Sequence, residues 1–339
     1  MAARAFIAGC AGVALKADEA AFFRDAQPWG LIVFRRNVES PDQLRALTDA
    51  FRDAVGRTDA PVLVDQEGGR VQRLAAPHWP NYPSARRLAS VHANDPLAAR
   101  ELVRLSATLM ARDLREVGIS VDCLPVLDVP VPGSHGIIGD RAYADDPNAI
   151  AVLGRAAADG LMAGCVLPVM KHMPGHGRAR ADSHEALPVV DAPLDELRAR
   201  DFAPFAMLAD MPLAMTAHVV FTAIDAARPA TTSPEVFARI IRGELGYDGL
   251  VMSDDLSMKA LSGSFRDRAE AALAAGCDVV LHCNGAMEEM REVAEAAPDL
   301  SDITLRRVEA AMGRIRHRPE PLDVVEARAR LDAALAVAA

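Results

Sequence analysis

The chain is poor in several features that announce common functions. Aromatic side chains make up 4% of its 339 residues, as two Trp, three Tyr and ten Phe, so it lacks the material for a long cleft in which successive rings of a polymer stack on aromatic faces. Basic side chains are outnumbered 37 to 47, for a net charge of −10, which argues against a nucleic-acid or membrane-surface partner. The five cysteines, Cys10, Cys123, Cys165, Cys277 and Cys283, form an odd set with no CxxC pair and no metal-ligand spacing. A reducing, cytoplasmic setting is the simplest expectation. No stretch reaches the ~18 uninterrupted apolar residues of a membrane span. Arg4 followed by the apolar Ala5 to Leu15 imitates a signal peptide, but the apolar run before Cys10 falls short of the usual ~7 residues or more and reads as a first β-strand.

What is there is core material, 51% hydrophobic against 25% charged, far from a disordered composition. Short apolar runs recur at Ala5–Gly9, Gly30–Phe34, Pro61–Asp65, Ile119–Leu124, Val166–His172, Pro212–His218, Gly249–Asp254 and Cys277–Cys283. Such runs suit strands buried on both faces. Helical patterning fills most of the gaps, at Pro41–Val55, Asp95–Val117, Pro147–Met162, Pro234–Leu245 and Asp267–Ala275. Repeated βα units of this number predict a (β/α)8 barrel, an α/β fold in a single catalytic domain over residues 1–318. The competing doubly wound open sheet would carry GxGxxG after its first strand, and Gly9-Cys10-Ala11-Gly12 does not supply it. Two alanine-rich helices, Leu300–His317 and Asp323–Ala339, are divided by Arg318-Pro319-Glu320-Pro321. Residues 319–339 therefore read as a C-terminal helical extension on the outside of the barrel.

In a parallel barrel, functional side chains gather at the carboxyl ends of the strands. Those ends carry Asp65 and Glu67, Asp128, Lys171 and His172, His218, and Asp254 and Asp255. Taken singly, each is equally well a capped turn or a buried ion pair; together they point to a site. Two long connections, Gln66–Ser84 and Met173–Pro193, lie beside them, and long loops in compact domains usually serve function. His172 and His176, with Asp182, His184 and His218, invite a zinc reading. Pro174-Gly175 breaks the helix that an i, i+4 pair needs, and the first strand lacks the HxH pair of zinc-hydrolase barrels. No metal and no cofactor are expected. Phosphate at the usual anchor after the seventh strand would meet Asp254 and Asp255. Cleavage of a neutral sugar fits better, because a carboxylate stabilises or attacks a centre that develops positive charge while an acid protonates the departing oxygen. Asp254 supplies the carboxylate. Asp182-Ser183-His184 places a second carboxylate and an imidazole where they can pair, which favours imidazolium and suits proton transfer near neutrality, although D-x-H in a loop is also ordinary turn chemistry.

The motifs Lys171-His172-Met173-Pro174-Gly175-His176-Gly177, Ala181-Asp182-Ser183-His184, Thr216-Ala217-His218-Val219 and Ser253-Asp254-Asp255-Leu256-Ser257-Met258 resemble the β-N-acetylhexosaminidases of glycoside hydrolase family 3. So do Val64-Asp65-Gln66-Glu67-Gly68-Gly69-Arg70-Val71-Gln72-Arg73 and Gly139-Asp140-Arg141, and the likeness runs in order from about residue 5 to about 296. The resemblance implies a single (β/α)8 barrel that removes terminal β-N-acetylglucosamine with retention, through a covalent intermediate. By motif position it makes Asp254 the nucleophile and His184 the acid/base, oriented by Asp182. It assigns sugar contacts to Asp65, Arg73, Arg141, Lys171 and His172, and leaves His176 and His218 to shape the site. Lys171 is one of three lysines beside 34 arginines, and an ammonium or guanidinium beside a carboxylate suits sugar hydroxyls. Met173 departs from the family's usual phenylalanine at similar volume. The absence of the second domain of many relatives resembles the cytoplasmic Gram-negative type that recycles cell-wall muropeptides, a small-molecule sugar substrate. A sugar phosphorylase and a non-catalytic sugar-binding barrel are the alternatives. The glycines and polar run of 175–184 predict a loop with little apolar anchoring that closes when sugar is bound.

Overall fold

Each of the eight apolar runs becomes one strand of a closed parallel barrel in the computed structural model, which describes residues 2–91, 95–315 and 318–337. The strands are Arg4–Ala8, Pro28–Val33, Val62–Val64, Val121–Asp122, Leu167–Met173, Leu213–Thr216, Leu250–Asp255 and Val279–His282. Neighbours pair in chain order, and the first strand closes the ring by pairing with the last, Phe6 opposite Val280 and Ile7 opposite Leu281. The runs are continuously apolar because both faces are buried. Along the first strand Ala5 and Ile7 point into the barrel with Leu63, Val169, Leu213, Met252 and Leu281, whereas Phe6 and Ala8 face the helices. Trp29, Leu300, Val308 and Ala311 join the inner cluster and plug the barrel at the amino ends of its strands.

Helix starts follow a local rule. Ser40-Pro41, Asp95-Pro96 and Asp146-Pro147 each put a side-chain acceptor at the cap and a proline, which has no amide hydrogen to lose, at the first helical position. Asp146 accepts from Ala149 N–H at 2.8 Å and Asp95 from Ala98 N–H at 3.0 Å. The helices they open are Pro41–Val55, Pro96–Glu116 and Pro147–Ala163. The predicted 234–245 helix is realised at Val236–Glu244 with wider, π-type winding.

Both long connections are more structured than loops. Gln66–Gly68 and Val71–Gln72 form an antiparallel hairpin beyond the third strand. Val189–Val190, at the end of the connection after the fifth strand, pairs in parallel with Val220–Phe221 after the sixth. At the C-terminus, the helix predicted at 300–317 is observed at Asp302–Met312, and residues 316, 317, 338 and 339 of the predicted pair lie outside the described residues. The last helix, Val324–Val337, packs on helices Ala85–Val91 and Pro96–Glu116. Among the described residues no helix is long and apolar enough to cross a membrane.

Candidate active site

At the carboxyl end of the barrel, side chains from the third, fifth and seventh strands and the hairpin surround a cavity of about 220 Å³. Its deepest charges alternate in sign. The Lys171 ammonium, 2% exposed, sits 2.9 Å from Asp65 Oδ1 and 2.7 Å from Glu67 Oε1. Arg73 Nη2 donates to the other Asp65 oxygen at 2.9 Å. Arg141 grips Glu67 with two hydrogen bonds of 2.8 Å, from Nε and Nη2. This fork-to-fork geometry fixes the guanidinium plane. Burial by itself would raise both carboxyls, yet the neighbouring cations outweigh it: Glu67 is held at about 2, chiefly by Arg141 and Lys171, and Asp65 still lower by Lys171 and Arg73. Burial likewise disfavours the Lys171 charge, and Asp65 and Glu67 reverse that and raise its pKa. Asp65, Glu67, Arg141 and Lys171 therefore stay ionised near neutrality, with polar edges turned to the cavity.

The wall beside it is built from the fourth and fifth strands. Asp128, fully buried, takes His172 Nδ1 at 2.6 Å and the His176 amide at 2.7 Å, which holds its pKa at about 2 against the opposing effect of burial. His176 Nε2 meets Ser183 Oγ at 3.2 Å. Burial and the adjacent His172 lower the His176 pKa to about 4, so this imidazole is neutral at working pH. Gly177 explains its place in the motif: a Cβ there would lie 2.1 Å from the Val129 carbonyl oxygen. The loop can press against the fourth strand's extension only without a side chain.

Asp254 is the last residue but one of the seventh strand, half-buried, with Oδ1 accepting the Asp255 amide at 2.8 Å. Among the described residues, no hydrogen bond reaches its other oxygen, and the side chain lines the cavity. Burial would raise its pKa, but His172, His218 and Lys171 together bring it below the usual carboxylate value. Asp255 is occupied elsewhere, taking the amides of Ser257 at 3.0 Å and Cys283 at 3.1 Å. His218 stands behind the pair, its Nε2 donating to the Asp255 carbonyl at 3.0 Å and its Nδ1 bonded to the Thr231 hydroxyl at 2.7 Å. Across the mouth, His184 Nδ1 lies 2.7 Å from Asp182 Oδ1, which also accepts the His184 amide at 2.9 Å. These contacts lower the Asp182 pKa despite partial burial. The His184 side chain is 64% exposed, and its Nε2 is left available at the rim.

The structure thus brings Asp254, His184, Asp65, Arg73, Arg141, Lys171, His172 and His176 to one cavity. Asp182 and His218 stand one layer back, each holding a residue that does face it. Two residues that the strand-end reading noted without a role prove central, Glu67 as the shared partner of Arg141 and Lys171, and Asp128 as the partner of His172. Phe34 was not anticipated. Its ring lies under the Arg73 guanidinium at 5.0 Å and is the one phenyl group in the cavity's lining among the described residues. The expectation of a poorly anchored loop needs correction. His176, Gly177, Ala179 and Ser183 are buried, and Arg178 Nε donates to Asp201 at 2.7 Å. Arg180 and the tip from His184 to Leu187 are exposed.

Over residues 8–317 the chain matches the Glycosyl hydrolase family 3 N terminal domain. It is 40% identical over 315 residues to a β-hexosaminidase from Bordetella avium, covering 90% of this chain and 85% of that one. A β-hexosaminidase from Alkalilimnicola ehrlichii is 41% identical over 307 residues, covering 88% and 87%. Among solved structures, native NagZ from Neisseria gonorrhoeae superposes with a TM-score of 0.85 at 31% identity, over 99% of this chain and 97% of that one. A family 3 β-N-acetylglucosaminidase from a Paenibacillus strain gives a TM-score of 0.80 at 30% identity, and this chain spans 62% of that longer protein.

Proposed function

The chain belongs to glycosyl hydrolase family 3 and is a β-hexosaminidase, and from that premise we propose that it releases terminal, non-reducing N-acetylglucosamine with retention of anomeric configuration. In this reading Asp254 attacks the anomeric carbon as His184 protonates the departing glycosidic oxygen, leaving a glycosyl ester on Asp254. His184, now neutral, takes a proton from water. The resulting nucleophile attacks the same carbon, the ester bond breaks, and Asp254 returns to a carboxylate. The observation that carries the reading is that an ionised Asp254 and the rim imidazole of His184 line one cavity, the imidazole held by Asp182. Asp65, Arg73, Arg141, Lys171 and His172 would hold the sugar's hydroxyl and acetamide groups by charge-assisted hydrogen bonds. The cavity's small volume and single phenyl ring favour one terminal ring over a polymer.

As substrate we propose muropeptides of the N-acetylglucosaminyl-1,6-anhydro type, cleaved in the cytoplasm during cell-wall recycling; the cavity of about 220 Å³, sized for one terminal sugar, supports this. The test is turnover of a chromogenic β-N-acetylglucosaminide beside the galactosaminide and the plain glucoside, with and without phosphate, followed by a purified muropeptide. Free N-acetylglucosamine is expected in every buffer; a sugar phosphate would mark a phosphorylase instead. A slow 2-fluoro substrate should accumulate as an ester that peptide mapping locates on Asp254. Label on Asp255, or near-normal turnover in Asp254→Asn, would overturn the assignment.

A further inference from the structure

The C-terminal helix Val324–Val337 lies outside the family match, which ends at residue 317, yet a short chain of contacts joins it to the sugar cavity. Arg328 Nη2 donates to Asp113 Oδ1 at 2.6 Å, and its Nη1 to the Tyr82 hydroxyl at 3.3 Å. That hydroxyl donates to the other Asp113 oxygen at 2.7 Å, closing a triangle between the last helix, helix Pro96–Glu116 and the segment that follows the hairpin. Tyr82 is 3% exposed and Asp113 9%, while the Arg328 side chain keeps 31% exposure, so the Tyr82–Asp113 side of the triangle is shielded from water, where such bonds are strongest.

From Tyr82 the connection runs through backbone. The Tyr82 carbonyl accepts the Gly69 amide at 2.8 Å, and its own amide donates to the Gln72 side chain at 2.9 Å. Gln72 in turn donates to the Leu74 and Pro80 carbonyls at 2.7 and 2.8 Å. At Gly68, with φ of +89°, an added Cβ would lie 2.2 Å from the Pro83 carbonyl oxygen. Main chain therefore packs directly on main chain, with no side chain between to absorb a displacement. Gly68 is the residue after Glu67, which holds Arg141 and Lys171, and the hairpin's other arm leads to Arg73.

We propose that Arg328 is a positioning residue for sugar binding: by bracing Tyr82 it holds the hairpin, and through it Glu67 and Arg73, in register with the fifth strand. This rests on the reading of that network as the sugar grip. The last helix is then part of the binding apparatus and more than a cover for the core. Its own attachment is independent of the triangle, since Ala327 and Leu331 are buried and Arg87 donates to the Leu335 carbonyl at 3.0 Å.

The experiment compares wild type, Arg328→Ala, Arg328→Lys, Tyr82→Phe and Asp65→Asn in the full-length enzyme. It reads kcat and KM for a chromogenic β-N-acetylglucosaminide, together with amide exchange of Gly69 to Leu74. Residues along a packed network shift the coupling between sites by a few-fold to tens-fold, so Arg328→Ala should raise KM about three- to tenfold with kcat within about twofold. It should also speed Gly69 exchange, Arg328→Lys should restore much of both, and Tyr82→Phe should give a smaller effect of the same kind. If Arg328→Ala melts at a lower temperature while hairpin exchange and KM stay unchanged, the helix is only structural and the proposal fails. Should Asp65→Asn raise KM while Arg328→Ala does not, the brace is wrong and the sugar grip stands. An unmoved KM in both variants would overturn the sugar grip itself. Should Arg328→Ala fail to fold, Tyr82→Phe carries the same test, and unchanged exchange and KM there overturn the brace.

Discussion

Replacing Glu67 by glutamine should be among the most costly single-atom changes outside the reacting groups. In the native protein this carboxylate is 4% exposed and neutralises two cations, Arg141 through two bonds of 2.8 Å and Lys171 at 2.7 Å. Glutamine keeps the shape but offers one oxygen, and its amide hydrogens must face a guanidinium or an ammonium. Lys171 keeps Asp65 at 2.9 Å, so the larger loss falls on Arg141, which gives up one of its two bonds to this side chain and otherwise keeps, among the described residues, only the bond to the Ile137 carbonyl at 3.3 Å. The depression of the Glu67 pKa from 4.5 to about 2 corresponds to roughly 3 kcal/mol of folded-state preference for the ionised form, in line with the ~3–5 kcal/mol lost when one partner of a buried ion pair is removed. For a chain of 339 residues that is a fall in Tm of about 4 °C at pH 7. Because the folded value lies below the unfolded one, the stabilisation is complete above about pH 4.5 and is lost as the pH falls towards 2. Thermal melts of wild type and Glu67→Gln from pH 7 to pH 3 should therefore converge in acid. A variant that melts within about 1 °C of wild type at pH 7, or a gap that does not narrow with acid, would refute the reasoning. KM should rise as well, since Arg141 and Lys171 lose their shared reference.

Three further outcomes are expected. Asp254 must be ionised to attack, and its pKa lies below the usual carboxylate value, so kcat/KM should hold as the pH falls to about 4; an acid limb centred near pH 6 would contradict this. Asp182→Asn should lower kcat about 100-fold with a much smaller change in KM, as loss of an imidazole's orienting carboxylate does, and a loss under about threefold would remove Asp182 from the mechanism. In amide exchange without ligand, Met173 to Ala179 should be protected like the strands while His184 to Leu187 exchanges fast and slows when N-acetylglucosamine is added; uniform protection across 173–187 would show that the rim does not move.

Element existence and order were legible because their signals are local. A strand buried on both faces needs only a short apolar run, and Ser40-Pro41, Asp95-Pro96 and Asp146-Pro147 each write a helix start into two residues. The strand-end positions of Asp65, Lys171, His172 and Asp254 were legible for the same reason. The anchoring of the 173–187 loop was not. Its buried half is held by Asp201 and by the backbone at Val129, and neither contact has a trace in the loop's own composition, which is rich in glycine and charge.

By itself the sequence determined the barrel, the strand ends that would carry chemistry, and the Asp182–His184 pair, whose partners lie two residues apart. Tertiary structure alone decided which charges meet: Lys171 with Asp65 across 106 residues, Arg141 with Glu67 across 74, and Arg328 with Asp113 across 215. The physical reason is that pairing over such separations is set by closure and register of the whole barrel and, for Arg328, by the docking of outer helices on it, properties of the assembled chain. No local pattern around any one of these residues encodes which partner the closed ring will bring to it.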